Sequence, residues 1–251
     1  MIEIRELSVI RGGKKLLSGV NMRVQRGKLN LLLGRNGSGK TTLINCINRS
    51  VAYGGAIMLS GMNTAELSPR ERGRLCAFVP QLLPTPELTV KELAEMGRTP
   101  YISLGKGLSQ NDRAAVNRGM ERMGISAIAD RKLSSLSGGE LQRAYIAMAL
   151  AQDTELMIFD EPTSHMDVIA AEELMGLCRE LVDEWGKTLL VTMHDMTSAV
   201  GFGDTITVMQ EGAPVFSGTK EACLELQILE KTFSLERHTA GNRIFFCPGK
   251  K

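Results

Sequence analysis

The spacing of hydrophobic residues along the chain predicts strands that alternate with helices. Apolar and polar residues alternate over 2–4 and 20–24, as in strands with one buried face, and residues 29–33 form an almost continuous apolar run typical of a fully buried strand. Further strands are predicted at 56–61, 76–81, 155–160 and 187–193, and helices at 41–50, 112–123 and 168–185.

This alternation indicates an α/β fold with a parallel sheet that helices cover on both faces. Residues 87–152 are predicted to be helical throughout, because they lack strand patterns and begin with a T-x-x-E capping box at Thr89 and Glu92. Short strands around Glu211–Gly212 predict a hairpin, and residues 221–233 predict a closing helix. We therefore expect a single domain with an α/β core (1–86 and 153–225), an inserted helical subdomain (87–152) and a C-terminal tail (226–251).

Composition and charge exclude several classes of protein. The chain has 251 residues, of which 43% are hydrophobic and 23% charged, so disorder is excluded for most of it. The net charge of +2 predicts no general attraction to nucleic acid or to anionic membranes. The apolar runs are shorter than the roughly 18 residues of a membrane-spanning helix, and the charged N-terminus is unlike a signal peptide, so a cytoplasmic protein is expected. The five cysteines form no C-x-x-C pair, which argues against a disulfide framework and a zinc site.

The first candidate for chemistry is a glycine-rich loop between the apolar run and the next helix. It reads Gly34-Arg35-Asn36-Gly37-Ser38-Gly39-Lys40-Thr41 and fits the pattern G-x-x-x-x-G-K-[ST]. Glycines let backbone N–H groups point inward around a β-phosphate, and the helix N-terminus adds partial positive charge. Lys40 would reach the β- and γ-phosphates, and the Thr41 hydroxyl would ligate Mg²⁺. The loop and its place between strand and helix predict the core of a P-loop NTPase.

Two adjacent carboxylates end the strand at 155–160. Neighbouring side chains of a strand point to opposite faces, so Asp160 and Glu161 are expected to have different tasks. Asp160 can hold the magnesium shell through water, and Glu161 can polarise the attacking water as a general base.

A second anion-binding element is predicted at Leu136-Ser137-Gly138-Gly139-Glu140. Ser137 and Glu140 form an S-x-x-E capping box at the start of a long helix-forming run. A helix N-terminus with two glycines is a favourable anion site and suggests a nucleotide shared between two phosphate-binding elements, but the pattern alone favours an ordinary capped helix.

Leu136–Glu140 with the following Leu141-Gln142-Arg143 resembles the signature sequence of the ATP-binding cassette (ABC) family. Gln81 matches that family's glutamine loop, the segment Ser164-His165-Met166-Asp167 matches its D-loop, and His194 matches its switch histidine. The resemblance extends to about residue 225. It implies an α/β fold with a P-loop NTPase (RecA-like) core, a small antiparallel β subdomain and the inserted helical subdomain.

The resemblance implies that two copies pair head to tail, with ATP sandwiched between the phosphate loop of one copy and the signature segment of the other. Gln81 would link metal and water to a transmembrane partner, His194 would orient the γ-phosphate, and Asp167 would communicate across the dimer interface. Catalytic roles are implied for Glu161, His194, Gln81 and Lys40, ATP contacts for Gly34, Asn36, Gly37, Ser38, Gly39, Lys40, Thr41 and Thr42, trans contacts for Ser137, Gly138, Gly139 and Glu140, and Mg²⁺ ligation for Thr41, Gln81 and Asp160.

One position departs from the family pattern. The family places an aromatic residue near the end of the first strand to stack on adenine, and this chain has Arg11 there. A guanidinium can stack on a base, so Arg11 either replaces the aromatic platform or is a solvated turn residue.

The segment at 92–101, ELAEMGRTPY, resembles the MGR-x-P segment of importers for iron-siderophores, haem and cobalamin, and residues 143–152 and 160–167 resemble the iron-siderophore members. The expected function is therefore the ATP-hydrolysing subunit of an iron(III)-siderophore importer. Its expected partners are an identical copy, membrane permease subunits and, indirectly, a substrate-binding protein, with no nucleic acid and a peripheral location on the cytoplasmic face of the membrane.

Other classes of P-loop protein share some of these motifs. A haem or cobalamin importer would share the same segments, and an exporter cassette is commonly fused to membrane helices. A DNA-repair cassette would contain a long coiled coil between Lys40 and Ser137, and a translation-factor protein would carry two cassettes. A P-loop kinase would need neither Ser137–Glu140 nor His194.

Overall fold

The computed structural model describes residues 1–103, 105–164, 166–241 and 243–249. In these residues the strands are β1 (Ile2–Arg11), β2 (Lys14–Val24), β3 (Leu29–Leu33), β4 (Gly54–Leu59), β5 (Met62–Asn63), β6 (Cys76–Val79), β7 (Leu156–Asp160), β8 (Thr188–Met193), β9 (Thr205–Gln210), β10 (Ala213–Thr219), β11 (Leu235–Ala240) and β12 (Arg243–Pro248). The helices are α1 (Lys40–Ile47), α2 (Pro69–Leu75), α3 (Val90–Met96), α4 (Gln110–Arg122), α5 (Gly138–Ala151), α6 (Val168–Asp183), α7 (Met196–Phe202), α8 (Lys220–Glu225) and α9 (Ile228–Phe233), with 3₁₀ turns at Ser126–Ile128 and Leu133–Ser135.

The chain divides into two compact units. The first unit contains residues 1–65 and 172–251, and the second contains residues 66–171. In the described part of the chain, every helix is too short or too polar to cross a lipid bilayer.

The first unit contains an antiparallel sheet with the strand order β2-β1-β4-β5. Ile2 pairs with Val24 and Ile4 with Met22, and all four side chains are buried. The alternating patterns at 2–4 and 20–24 therefore correctly predicted half-buried strands, whose apolar faces lie in the core.

The first unit also contains a sheet in the order β10-β9-β3-β8, in which β3 runs parallel to both β8 and β9. Every residue of β3 is buried, as the apolar run predicted. Asn30 is tolerated there because its side-chain amide donates to the carbonyls of Gln25 and Leu189 at 3.0 and 3.1 Å. Strands β9 and β10 form the predicted hairpin.

The second unit contains the parallel strands β6 and β7 and the helices α3, α4 and α5. The capping box at Thr89 and Glu92 is present and begins α3, as predicted. Helix α4 packs tightly on α5 at Gly119, where a Cβ atom would lie 2.7 Å from the carbonyl oxygen of Ala147. The prediction of a wholly helical 87–152 was too broad, because Thr89 forms a β-bridge to Lys132.

One prediction for the C-terminal region was wrong, and one element there was not predicted. The helix expected over 221–233 is broken into α8 and α9, because Gln227 adopts a left-handed backbone conformation with a φ of 54°. The tail also forms an antiparallel hairpin, β11 with β12, that the sequence analysis did not predict. Ile244 and Phe246 are half-buried on one face of this strand, but the apolar Phe245 between them hides the alternation in the sequence.

Candidate functional site

The glycine-rich loop joins β3 to α1, so it lies at the carboxyl end of a buried parallel strand. Gly37 and Gly39 have φ angles of 81° and 106°, which L side chains rarely adopt. A Cβ atom at Gly39 would also lie 2.8 Å from the Cδ2 atom of Leu17. The backbone N–H of Ser38 donates to the carbonyl oxygen of Arg35 at 3.0 Å and closes the turn. The loop thus requires glycine at these positions for its curled path.

The loop has the features of a phosphate cradle. Lys40 is 4% exposed, and its Nζ atom donates across the loop to the carbonyl oxygen of Gly34 at 2.8 Å. The Ser38 hydroxyl is buried and has no hydrogen-bond partner among the described residues. Helix α1 begins without a side-chain cap at Gly39. A buried orphan hydroxyl beside an uncapped helix N-terminus fits a bound anion, because phosphate oxygens would accept these hydrogens.

His194 follows the end of β8 and is exposed. Together with Gly34 and Arg35 it lines a cavity of about 360 Å³, so the fold places the predicted switch histidine beside the glycine-rich loop. Asp195 caps the next helix, α7, by accepting from the backbone N–H of Thr197 at 2.9 Å. This cap sets the direction in which the chain leaves His194.

The two carboxylates at the end of β7 are both buried, with Asp160 3% and Glu161 9% exposed. Glu161 has a φ of 45°, a left-handed conformation that costs a non-glycine residue about 1–3 kcal/mol and is common at functional sites. The side-chain amide of Gln81 donates to Glu161 Oε2 at 2.8 Å, and the Ser164 hydroxyl donates to the same oxygen at 3.3 Å. The structure therefore brings Gln81 and Glu161 together and adds Ser164, whose contact with the carboxylate the sequence did not reveal.

The signature segment forms the predicted N-terminal cap of α5. The Ser137 hydroxyl donates to Glu140 Oε2 at 2.9 Å and accepts from the Glu140 backbone N–H at 3.3 Å. Hydrogen bonds from the backbone N–H and then the hydroxyl of Ser137 hold the pKa of the Glu140 carboxyl below its usual value. Arg131 forms an ion pair with Glu140 at 3.0 Å. A Cβ atom at Gly138 would meet nothing within 4 Å, so the front of this helix is open.

Asp167 precedes α6 and is exposed. Its carboxylate accepts a hydrogen bond from the backbone N–H of Ala170 at 2.9 Å. Its predicted role at a dimer interface stays a prediction. His165, in the same predicted D-loop, lies outside the described residues.

Arg11 ends β1, pairs with Lys14 in the sheet and is exposed. If its guanidinium replaces the aromatic platform, base selectivity is expected to be weak, because a cation stacks on adenine and guanine alike. We expect a smaller preference for ATP over GTP than an aromatic platform would provide, measured by competition between the two nucleotides. A large preference for ATP that survives Arg11→Ala would refute a stacking role.

The MGR-x-P segment lies in the second unit, where Gly97 and Arg98 are buried while Met96 and Thr99 are exposed. Arg98 is 8% exposed and donates to Asp112 Oδ1 at 2.8 Å and to the carbonyl oxygen of Ala151 at 2.7 Å. Its guanidinium also lies 4.0 Å from the ring centroid of Tyr101. The hydroxyl of Ser109 and then Arg98 lower the pKa of the Asp112 carboxyl. Arg98 therefore connects the end of α3 to the start of α4 and the end of α5.

Comparisons with known proteins identify the family. The ABC transporter family matches residues 17–164. The petrobactin import ATP-binding protein YclP of Bacillus subtilis (strain 168) is 34% identical over 237 residues, which cover 94% of this chain and 93% of that protein. The ferric enterobactin transport ATP-binding protein FepC of Escherichia coli (strain K12) is 31% identical over 232 residues, covering 92% and 86%.

Solved structures share the fold. A dimeric bacterial ABC transporter cassette has a TM-score of 0.77 and 27% identity, covering 88% of this chain and 99% of its own. A metal-chelate type ABC transporter in an inward-facing conformation has a TM-score of 0.84 at 23% identity, covering 100% of this chain and 98% of its own. The chain belongs to the ABC transporter family. It binds ATP and is an ATPase of that family.

Proposed function

We propose that this chain is the ATP-hydrolysing subunit of an importer for a metal chelate, most specifically an iron(III)-siderophore. The observation that carries the proposal is the phosphate cradle at Gly34–Thr41, with its orphan Ser38 hydroxyl, in a chain whose second unit holds Glu161 on a left-handed turn against Gln81. The cargo class is supported by relatives that import petrobactin and ferric enterobactin, which match this chain over more than nine-tenths of its length.

Phosphoryl transfer from ATP to water depends mainly on positioning and charge stabilisation. The amides of the phosphate loop and Lys40 would hold the β- and γ-phosphates, and His194 would orient the γ-phosphate. Glu161 would accept a proton from the attacking water, and the hydrogen bonds from Gln81 and Ser164 would hold its carboxylate in place.

The residues present also fit Mg²⁺. The Thr41 hydroxyl, the buried Asp160 carboxylate and the Gln81 side-chain oxygen are hard oxygen donors of the type that Mg²⁺ prefers. We assign its ligation to these three residues. The ion would neutralise charge on the β- and γ-phosphate oxygens.

We propose that the functional unit is a homodimer in which the open helix N-terminus at Ser137, Gly138, Gly139 and Glu140 contacts the ATP held by the other copy. Dimeric cassettes among the structural relatives support this arrangement. Asp167 would lie at the interface. Permease subunits, and indirectly a substrate-binding protein, would be the other partners, at the cytoplasmic face of the membrane. The chain is then one ATPase domain, although it folds as two compact units.

Ser137→Arg tests the trans contact. The added side chain would block closure, so ATPase activity is expected to fall by about 10²-fold or more. Mixing this variant with Lys40→Ala protein should restore activity, because a mixed dimer joins one intact phosphate loop to one intact Ser137. Each mixed dimer can contain only one such site. Full activity of Ser137→Arg alone would contradict the sandwich.

The transport proposal is tested by affinity purification. Tagged Glu161→Gln protein is recovered with MgATP from detergent-solubilised native membranes, and its partners are identified by mass spectrometry. The same partners are then reconstituted with wild-type protein, which can turn over ATP, and cargo uptake is followed by metal analysis. A polytopic permease and iron uptake are expected. A soluble complex without membrane protein would overturn the transport role and leave the ATPase assignment in place.

A further inference from the structure

The chain from Pro80 to Leu88 contains no helix or strand, yet it is attached to the signature helix α5. Tyr145, two turns into α5, donates its hydroxyl hydrogen to the carbonyl oxygen of Pro84 at 2.6 Å. Tyr145 is 6% exposed, and burial raises the pKa of its hydroxyl, so the group remains a donor at neutral pH. Pro84 itself is exposed. A buried side chain of α5 thus holds an exposed, irregular segment.

The same segment is also attached to the loop that leads into α5. The backbone N–H of Val90 donates to the carbonyl of Arg131 at 3.0 Å, and the N–H of Leu133 donates to the carbonyl of Leu88 at 2.9 Å. Arg131 in turn contacts Glu140 and donates to the carbonyl of Ser135 at 2.6 Å. Hydrogen bonds therefore connect the chain after Gln81 to both sides of Ser137.

The two ends of this connection are the groups that the proposed mechanism uses. Gln81 is the second residue of the segment, and its side chain is bonded to Glu161. The cap formed by Ser137 and Glu140 lies two helical turns before Tyr145. Leu82, next to Gln81, is 80% exposed, so the segment has little apolar packing to hold it at that point. Where packing is absent, single hydrogen bonds determine which conformations are populated.

We propose that Tyr145 is a positioning residue for ATP-driven dimer closure. Its hydroxyl fixes the segment at 82–88 to α5, and so holds Ser137 in the conformation that receives the ATP of the partner subunit. This inference rests on the proposed function, in which the signature segment contacts ATP in trans.

Loss of the hydroxyl leaves the phosphate loop untouched but releases one attachment of the segment. Fewer molecules then hold Ser137 in the conformation that binds the partner's ATP. The apparent affinity of ATP-driven dimerisation falls in proportion to that fraction. One net hydrogen bond corresponds to a change of about 3- to 10-fold. The kcat for ATP hydrolysis changes little, because saturating ATP shifts the population back to the conformation that dimerises.

Tyr145→Phe tests this role, with Tyr53→Phe as the matched control. Tyr53 also forms one hydroxyl hydrogen bond, to Thr64 Oγ1 at 2.8 Å, but in the first unit. In the Glu161→Gln background, the ATP concentration for half-maximal dimerisation is measured by light scattering, and nucleotide affinity of the monomer is measured with a fluorescent ATP analogue. In the wild-type background, kcat and KM for ATP are measured.

Tyr145→Phe is expected to raise the half-maximal ATP concentration and KM by about 3- to 10-fold, with monomer affinity and kcat within about twofold of the parent. Tyr53→Phe should change neither quantity. Equal half-maximal concentrations in both variants, or a fall in kcat at unchanged KM, would overturn the role of Tyr145. If the parent does not dimerise with ATP at all, the proposed sandwich fails, and this inference fails with it.

Discussion

Glu161→Gln is expected to lower ATP turnover by about 10²- to 10⁴-fold, the usual scale for loss of a general base. The amide keeps the size of the side chain but cannot accept the proton of the attacking water. ATP affinity should remain within a few-fold of wild type, because the phosphate cradle lies in a different part of the chain. Turnover is measured by phosphate release at saturating ATP, and binding by equilibrium titration.

Glu225→Gln is a suitable control for this prediction, since it removes one carboxylate at an exposed position at the end of α8. It should leave turnover unchanged. Gln81→Ala and Ser164→Ala, which remove the two bonds to Glu161 Oε2, should lower kcat less than Glu161→Gln does. Equal turnover in wild type and Glu161→Gln would exclude Glu161 as the base.

Arg98→Ala is expected to lower the free energy of unfolding by about 3–5 kcal/mol, because it leaves the buried Asp112 carboxylate without its cation. The substitution also removes the bond to the carbonyl of Ala151 at the end of α5 and the packing against Tyr101. Chemical denaturation followed by circular dichroism measures this loss.

Arg23→Ala provides the contrast, since Arg23 forms an ion pair with Glu3 but its side chain is 78% exposed. Solvent screens such a pair, so little loss of stability is expected. Arg98→Lys should remain destabilising, because an ammonium cannot reproduce the planar fork that reaches both Asp112 and Ala151. A stability of Arg98→Ala equal to that of Arg23→Ala would refute the structural role of Arg98.

The burial of Arg98 changes how the MGR-x-P segment is interpreted. In the sequence analysis, the segment indicated the importer class. The sequence alone could not distinguish an arginine that contacts a partner protein from one that packs inside the fold. The structure shows that Arg98 packs inside, where it contacts Asp112 at the start of α4 and Ala151 at the end of α5. This arginine therefore stabilises the unit that carries the signature segment.

Features that depend on neighbours in the chain could be predicted from the sequence alone. The phosphate loop is defined by glycines and a lysine within eight residues, and the caps at Thr89 and Ser137 are completed by a glutamate three residues later. Alternating apolar residues located β1 and β2, and a nearly continuous apolar run located the buried strand β3. Each of these depends on interactions within one or two turns of chain, which local residue types determine.

Long-range contacts could be known only from the tertiary structure. Gln81 meets Glu161 across 80 residues, and Tyr145 meets Pro84 across 61. The break between α8 and α9 and the pairing of β11 with β12 were also missed, because the left-handed backbone of Gln227 and the cross-strand pairs of β11 with β12 leave no clear pattern in the sequence. The sequence by itself therefore determined the nucleotide chemistry and the family, while the tertiary structure determined which side chains hold the catalytic groups, because hydrogen bonds between distant segments exist only after the chain has folded.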